Sequence, residues 1–316
     1  MCAEPFAKRS DNFWFTEYRS EFVKHDLALK QIVFDGYSKY QHIQIIDTVQ
    51  FGRTLLVDGC TQSSEKDEHI YHESMVHPAM LLHPTPVKSV FIGGGGEFAT
   101  AREVLRHHSV DRVVMVDIDK LACDICRDEL PNWGKDSFND KRLHVIHEDA
   151  YKWLAESSET FDVILMDICD PIEGGPGYKL YTREFYESLK GKLNPGGIFV
   201  TQSGPGSEYN AKENCFTVIH NTLEQAFDFV IPYSVDVPSF GSQWGFNIAS
   251  NMDVNYLKKD IDRLIEERIT GGHSALKFLD GVSWFGLFGL SKILRQDCKE
   301  ETRVMTIDQP FFMFDF

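Results

Sequence analysis

Basic side chains are scarce in this sequence of 316 residues. It has 32 lysines and arginines against 48 aspartates and glutamates, which gives a formal net charge of −16 at pH 7. Binding to the phosphate backbone of nucleic acids needs clustered basic residues, so nucleic acid is not an expected partner. An acidic protein instead concentrates cations near its surface, although surplus carboxylates can also serve solubility alone.

Long apolar runs and a disulfide framework are also missing. No apolar run approaches the roughly 20 residues of a membrane-spanning helix, and the start, MCAEPFAKRS, lacks the apolar core of a secretion signal. The seven cysteines are odd in number, and the single CxxC pair, Cys123 and Cys126, falls in a predicted helix. We therefore expect a cytoplasmic protein with no membrane contact and no metal site.

The apolar pattern changes along the chain. Up to about residue 66, polar and apolar residues alternate, as in YQHIQIIDTV, which predicts strands and hairpins. From residue 88, short apolar runs such as FDVILMD alternate with helical stretches, which is typical of a parallel, doubly wound α/β sheet. We therefore predict a β-strand and hairpin domain over residues 1–75 and an α/β domain over residues 76–316. An amphipathic helix is predicted around residues 253–269, and the aromatic end QPFFMFDF is expected to be buried in the core or at a subunit contact.

Carboxylates follow the apolar strands of the second domain. Asp117, Asp149 and Asp167 each come at the end of a predicted strand. Glu97 follows the glycines of SVFIGGGGE, and Asp170 comes three residues after Asp167. Ligands of an open α/β sheet bind beyond the carboxyl ends of its strands, so we expect these acids at one crevice. Taken singly, each acid is explained equally well as the cap of a helix N-terminus.

The glycine-rich turn GGGEFA resembles a dinucleotide-binding fingerprint. Asp117 follows about 20 residues later, where an acid accepts the hydroxyls of a ribose. Glu97, however, lies where a dinucleotide places its pyrophosphate, and the repulsion would cost on the order of a few kcal/mol. A positively charged ligand would be attracted instead. The pattern therefore favours an S-adenosyl compound, in which a sulfonium and an ammonium replace the phosphates.

An ordinary methyltransferase would also satisfy that pattern. The segment MDICDPIEGGPGYKLYT adds Asp167 and Asp170, followed by a Gly/Pro-rich loop with Glu173 and Tyr178. Two carboxylates with aromatic residues suit a polycationic amine better than a neutral methyl acceptor. A plain surface turn is the competing interpretation, because Asp-Pro often starts a turn.

The sequence resembles the polyamine aminopropyltransferases, the family of spermidine and thermospermine synthases, from about residue 12 to 250. The likeness is carried by segments such as LLVDGCTQSSEKDEHIYHESMVHP, GGGEFATAREVLRH and DICDPIEGGPGYKLYTREFYESL. It implies a small N-terminal β domain before a Rossmann-like catalytic domain of the S-adenosylmethionine-methyltransferase type. It also implies a homodimer or homotetramer, decarboxylated S-adenosylmethionine as co-substrate, a polyamine acceptor and no prosthetic group.

The resemblance further implies roles for individual residues. Asp167 would be the catalytic proton acceptor. The co-substrate would contact Gln41, His72, Glu97, Asp117, Asp149 and Ala150. The amine would contact Tyr71, Asp170, Glu173 and Phe240.

Several features bear on the choice of acceptor and on the packing of the donor. His72 in place of a usual glutamine and the loop EGGPGYKLYT favour thermospermine synthase. Phe240 stands where the family commonly has a tyrosine, and Phe98 and Ala99 replace smaller residues beside the glycines. Spermidine synthase acting on putrescine, spermine synthase, and a noncatalytic polyamine- or nucleoside-binding protein remain open alternatives. The product isomer depends on the depth of the site, which a linear sequence does not display.

Overall fold

Two β-sheets organise the protein, which is described from a computed structural model over residues 13–19, 22–175, 177–209 and 215–313. The first sheet has five antiparallel strands in sequence order: β1 (Phe13–Tyr18), β2 (Lys24–Tyr37), β3 (His42–Thr48), β4 (Gly52–Val57) and β5 (Cys60–Ser64). Alternation explains the inward face of β3, since Ile43 and Ile45 are fully buried and Gln44 between them is not.

The second sheet has seven strands in the order β11-β12-β10-β9-β6-β7-β8. They are β6 (Ser89–Gly94), β7 (Arg112–Val116), β8 (Leu143–Ile146), β9 (Phe161–Asp167), β10 (Leu193–Pro205), β11 (Phe229–Val237) and β12 (Ser242–Ser250). Strands β8, β7, β6, β9 and β10 run parallel, whereas β12 is antiparallel to both β10 and β11. This arrangement is Rossmann-like and doubly wound, as the pattern of apolar runs predicts.

Helices connect and cover the strands of the second sheet. They are α1 (Glu68–Leu82), α2 (Ala99–Leu105), α3 (Lys120–Glu129), α4 (Pro131–Gly134), α5 (Ala150–Glu156), α6 (Arg183–Leu189), α7 (Phe216–Glu224), α8 (Ile261–Arg268), α9 (Gly281–Leu287) and α10 (Lys292–Glu300). Short 3-10 helices lie at Lys135–Asn139, Tyr178–Tyr181, Pro238–Phe240, Tyr256–Lys258 and Gly272–Ala275. Val163, Ile164 and Leu165 of β9 are fully buried, because helices cover both faces of a parallel sheet.

The first sheet packs on α3 and α4 of the second domain. Ile43 and Leu55 share an apolar cluster with Ile125 of α3 and Trp133 of α4. The indole nitrogen of Trp133 also donates a 2.7 Å hydrogen bond to Oγ of Ser63 on β5. These contacts hold the first sheet against the helices that follow β7, so side chains from both domains can line one cavity.

The structure can be compared with further predictions made from the sequence. The helix predicted around residues 253–269 is wrong in its first half: a 3-10 turn at Tyr256–Lys258 precedes α8, which begins after its cap, Asp260. The predicted division after residue 75 falls within α1 and stays a proposal. Of the aromatic end, Phe311 and Phe312 are partly buried, while Phe314 and Phe316 lie outside the described residues. Among the described residues, no helix is both long and apolar enough to cross a membrane.

Candidate active site

The ends of β6 and β9 meet where the strand order of the second sheet reverses. The amide of Gly95 donates a 2.9 Å hydrogen bond to the carbonyl oxygen of Asp167. Gly94 has φ +77°, and a Cβ atom built on it would lie 2.1 Å from that same oxygen. Only glycine fits this position, so the glycine-rich turn is pressed against the end of the strand that carries Asp167.

Five carboxylates at the strand ends line one cavity, as the strand order leads one to expect. They are Glu97, Asp117, Asp149, Asp167 and Asp170. Tyr71 of α1 and Gln41, from the turn between β2 and β3, border the same cavity. The cavity is therefore acidic and is built from both domains.

Helix capping accounts for two acids of this cavity without removing them from it. Asp149 accepts a 2.9 Å hydrogen bond from the amide of Tyr151 and so caps α5. Asp119, which also lines the cavity, caps α3 and accepts a 2.9 Å bond from Nε2 of Gln41. The two interpretations of these acids are compatible, because a cap uses one lone pair and leaves others for a ligand.

Asp117 lies beside the turn of glycines. Its Oδ1 accepts a 2.8 Å hydrogen bond from the amide of Asp119, and a Cβ atom built on Gly96 would lie 2.9 Å from its Oδ2. Burial, together with the negative charges of Glu97 and Asp119, raises the pKa of Asp117 to about 7. Near neutral pH this carboxyl can therefore bind or release a proton when a ligand arrives.

Asp167 is held by two hydroxyl groups. Oγ1 of Thr100 donates to Oδ2 at 2.5 Å, and the phenol of Tyr71 donates to Oδ1 at 2.8 Å. Burial and the nearby charge of Glu97 raise the pKa of Asp167 to about 6, against the lowering effect of His72 and of the two hydroxyl bonds. The carboxylate is thus held by two hydrogen bonds and is more basic than an exposed aspartate.

A chain of alternating charges runs behind Glu97. Nε2 of His72 donates to Glu97 at 2.8 Å, while Nδ1 of His72 donates to Glu68 at 2.9 Å. Glu68 also accepts a 2.7 Å bond from Arg102. Burial alone would lower the pKa of His72, but the bonds to Glu68 and Glu97 raise it to about 10. His72 is therefore an imidazolium near neutral pH.

His72, Glu97 and Asp167 also form a group of the kind that binds metal ions, since one ligand atom of each lies within 4.8 Å of the others. A metal-bound histidine must offer the lone pair of a neutral ring nitrogen. Nδ1 of His72 lies 2.9 Å from the carboxylate of Glu68 and Nε2 lies 2.8 Å from that of Glu97, so both ring nitrogens already face carboxylate oxygens. The arrangement is that of an ion pair and does not fit a metal ligand set.

Asp170 is fixed by Gln202 at the end of β10. Nε2 of Gln202 donates to Oδ1 of Asp170 at 2.9 Å, and Oε1 of Gln202 accepts from the indole of Trp244 at 3.1 Å. Burial raises the pKa of Asp170 to about 6. The ring of Phe240 packs edge-on between Trp244 and Tyr71, with centroids 4.7 and 5.8 Å away. This end of the cavity combines a carboxylate with aromatic walls.

One cation borders the acidic cavity. Among the described residues that line it, Arg19 is the only lysine or arginine. Nη2 of Arg19 lies 3.1 Å from the buried carboxylate of Glu17, which also accepts bonds from Thr61. The charge of Glu17 is thus balanced within the protein, and the same guanidinium also favours the ionised form of Asp170, whose pKa it lowers against the effect of burial.

Two predicted residues do not touch the cavity. His72 lies behind Glu97, and Glu173 is exposed in the turn that contains Gly174. Ala150, at the start of α5, does line it. Phe98 adopts φ +69°, and its ring packs 4.9 Å from that of Phe138 instead of facing the cavity. Phe98 therefore contributes to packing beneath the glycine-rich turn and not to the wall of the cavity.

Sequence reasoning missed further residues at the site, among them Arg19, Thr100, Gln202 and Met313. Local sequence features could have indicated two of them. Thr100 follows Glu97 by three residues and lies in the first turn of α2, and Gln202 is a polar residue near the end of a buried parallel strand. Arg19 and Met313 come from the two ends of the described chain and have no such local signal.

Comparisons with known proteins all match polyamine synthases or aminopropyltransferases. The sequence model described as spermine/spermidine synthase domain matches residues 68–259, and that described as spermidine synthase tetramerisation domain matches residues 13–65. Thermospermine synthase ACAULIS5 of Arabidopsis thaliana is 42% identical over 97% of this chain and 89% of its own. A polyamine aminopropyltransferase of Aeropyrum pernix is 40% identical over 95% and 94%.

Solved structures share the fold. A crystal structure of spermidine synthase in complex with the transition state analogue AdoDATO gives a TM-score of 0.84 at 25% identity, covering 92% of this chain and 97% of that one. The spermidine synthase of Thermotoga maritima gives 0.82 at 24% identity, covering 92% and 96%.

Proposed function

The chain belongs to the spermine/spermidine synthase family, and from that premise we propose that it transfers an aminopropyl group from decarboxylated S-adenosylmethionine to spermidine. The products would be thermospermine and 5′-methylthioadenosine. The observation that carries this proposal is the single cavity lined by Glu97, Asp117, Asp149, Asp167 and Asp170. Five carboxylates facing one space repel one another, and ligands that carry several positive charges relieve that repulsion.

The donor occupies the half of the cavity nearest the glycines in this proposal. Asp117 accepts the ribose hydroxyls, and Asp149 with the backbone of Ala150 holds the adenine. Glu97 and Gln41 face the aminopropyl end of the donor, whose ammonium replaces the phosphate of a dinucleotide. The contact between Glu97 and the imidazolium of His72 fixes the carboxylate in advance, so binding does not have to order it.

The reaction is a direct displacement at carbon. A neutral acceptor nitrogen attacks the methylene carbon next to the sulfonium, a new C–N bond forms, and the C–S bond breaks. The electron pair of that bond goes to sulfur, which leaves as the neutral thioether of methylthioadenosine. Asp167 takes up the proton that the acceptor ammonium loses before the attack, and the new secondary amine leaves as an ammonium ion. The sulfonium is already an activated leaving group, so the residues need only orient the reactants and accept a proton.

Deprotonating the acceptor is the chemical difficulty, because polyamines are ammonium ions near neutral pH. Burial raises the pKa of Asp167 to about 6, which makes it a stronger base than an exposed aspartate. The positive sulfonium nearby favours the neutral form of the amine. Both effects reduce the difference between the pKa of the acceptor ammonium and the pKa of Asp167. The hydroxyls of Thr100 and Tyr71 keep the carboxylate directed at the acceptor nitrogen.

The acceptor end supports a longer amine. Asp170 lies beyond Asp167 and is held by Gln202, so it can pair with the next ammonium of the acceptor. The rings of Phe240 and Trp244 cover the methylene groups between charges. His72 and the loop EGGPGYKLYT favour thermospermine over spermidine as product.

We further propose that the protein is cytoplasmic and forms a homodimer or homotetramer through the first sheet. A match to a tetramerisation domain over residues 13–65 supports this assembly. Large apolar side chains on that sheet are exposed, among them Phe13 at 81%, Tyr18 at 71% and Ile32 at 56%. Exposed apolar patches of this kind mark contact surfaces.

Product analysis tests the proposed reaction. The purified protein is incubated with decarboxylated donor and either spermidine or putrescine, and the amines are separated by a method that resolves thermospermine from spermine. We expect methylthioadenosine and thermospermine from spermidine, and much slower reaction with putrescine. Spermine, or preferential use of putrescine, would overturn the choice of acceptor and product. No methylthioadenosine with either amine would support a noncatalytic binding protein.

A further inference from the structure

The C-terminal segment ends at the loop that carries Asp170. The amide of Arg183 on α6 donates a 2.9 Å hydrogen bond to the carbonyl of Met305. The amide of Met313 then donates a 2.7 Å bond to the carbonyl of Pro171, the residue directly after Asp170. The last described residues are therefore fixed to the rim of the cavity.

Aromatic contacts hold the same segment in place. The ring of Phe312 packs edge-on against Tyr178, with centroids 5.8 Å apart. The guanidinium of Arg303 lies over the ring of Phe311 at 4.6 Å. These contacts anchor the segment without using the side chain of Met313, which is left to face the cavity.

Met313 is part of the wall at the acceptor end. Its side chain is only 2% exposed and lines the same cavity as Asp170. A Cβ atom built on Gly204 would lie 3.1 Å from Sδ of Met313 and 3.8 Å from Oδ1 of Asp170. A thioether and a carboxylate therefore flank one point of the wall.

A carboxylate followed along the wall by a thioether suits a polyamine, in which ammonium groups alternate with short methylene chains. A carboxylate suits each ammonium, and an apolar, flexible side chain suits the methylenes that follow it. With the reacting nitrogen at Asp167 and the next nitrogen at Asp170, a diamine ends near Asp170. A triamine continues past it toward Met313.

We propose that Met313 is a specificity-determining residue, whose thioether contacts the methylene chain of a triamine beyond the nitrogen held at Asp170. The inference rests on the proposed function, because it takes the acceptor to be a polyamine. It gives the C-terminal segment a role in selecting spermidine over putrescine.

Amine binding to three variants tests this role. Dissociation constants of spermidine and putrescine are measured by calorimetry in the presence of methylthioadenosine, for Met313→Ala, Met313→Leu and the control Met252→Ala. Met252 is 47% exposed and does not line the cavity. We expect Met313→Ala to weaken spermidine binding about 5- to 20-fold, as the loss of a few buried apolar groups implies. Putrescine binding should stay within about twofold, and Met313→Leu should bind spermidine nearly as the wild type does.

The result that would overturn the role of Met313 is an equal effect of Met313→Ala on both amines, or no effect on either. A general loss of structure would weaken methylthioadenosine as well, so the affinity for that nucleoside is measured in parallel. Failure of the proposed function is a separate observation: the wild type would release no methylthioadenosine from donor and amine. The binding comparison does not depend on turnover and decides the role of Met313 in either case.

Discussion

Nε2 of His72 lies 2.8 Å from the carboxylate of Glu97, so a buried cation holds from behind the acid that faces the cavity. Glu68 holds the other ring nitrogen of His72, and Arg102 in turn holds Glu68. Because each charge has an opposite neighbour, this chain of ion pairs holds Glu97 in place within a crowded set of acids. Side chains of α1 and α2 therefore position Glu97 before any ligand binds.

The charge of Glu97 should distinguish a cationic nucleoside from a neutral one. We expect Glu97→Gln to weaken decarboxylated S-adenosylmethionine about 10- to 100-fold, since it loses a charge-assisted contact. Methylthioadenosine lacks both the sulfonium and the ammonium and should bind within about twofold of wild type. Calorimetric titration of both nucleosides checks this, with Glu156→Gln, at the exposed end of α5, as the control. Equal weakening of the two nucleosides would contradict the role of Glu97.

Donor binding should depend on pH because Asp117 and Asp167 have raised pKa values, about 7 and about 6. Both are ionised above those values and neutral below them, so the cationic donor should bind more tightly as the pH rises from about 5 to 8. Binding near pH 6.5 should release protons, which titrations in two buffers of different ionisation enthalpy measure. Methylthioadenosine serves as the neutral control with a weaker dependence. A donor affinity independent of pH, or proton uptake, would count against the acidic site.

The ion pairs of His72 should stabilise the fold up to alkaline pH. Its pKa is raised from 6.5 to about 10, so this stabilisation is complete below about pH 6.5 and is lost as the pH rises through about 10. We expect the melting temperature of the wild type to fall more steeply between about pH 7 and 10 than that of His72→Gln. The exposed His144 of β8, changed to Gln, is the control. Parallel curves for wild type and His72→Gln would show that His72 is not held as a cation.

The hydroxyl of Thr100 should tune the basicity of Asp167. Its hydrogen bond to Oδ2 favours the ionised carboxylate and lowers the pKa of Asp167 relative to burial alone. In Thr100→Val the acidic limb of the turnover profile should therefore move upward by as much as about one pH unit. Single-turnover rates across pH measure the shift, and Thr302→Val, at an exposed position, is the control. An acidic limb at the wild-type pH would show that Thr100 does not affect the pKa of Asp167.

The sequence predicts the second sheet and its acids well for a physical reason. Strands covered on both faces are nearly continuous apolar runs, as FDVILMD of β9 is, and parallel strands end at one edge of the sheet. An acid directly after such a run, such as Asp117 or Asp167, is therefore placed by the fold itself. The helix predicted around residues 253–269 begins too early, because the helical period alone does not reveal that Asp260 caps a new helix.

Other parts of the site depend on contacts that no local pattern encodes. Met313 reaches the cavity only because the C-terminal segment crosses α6 and meets Pro171. Arg19 reaches it from the first sheet, where its partner Glu17 is buried against Thr61. Such positions follow from how distant segments pack, and the sequence shows only that the C-terminal end is apolar.

The most direct test of the central claim, that Asp167 accepts the proton of the attacking amine, is a single-turnover measurement on Asp167→Asn. Methylthioadenosine formation is followed after mixing enzyme and donor with spermidine, and donor affinity is measured separately. We predict that the variant still binds the donor and that its rate falls about 100- to 10,000-fold, while the exposed control Asp128→Asn keeps wild-type turnover. A near-normal rate in Asp167→Asn would contradict the account.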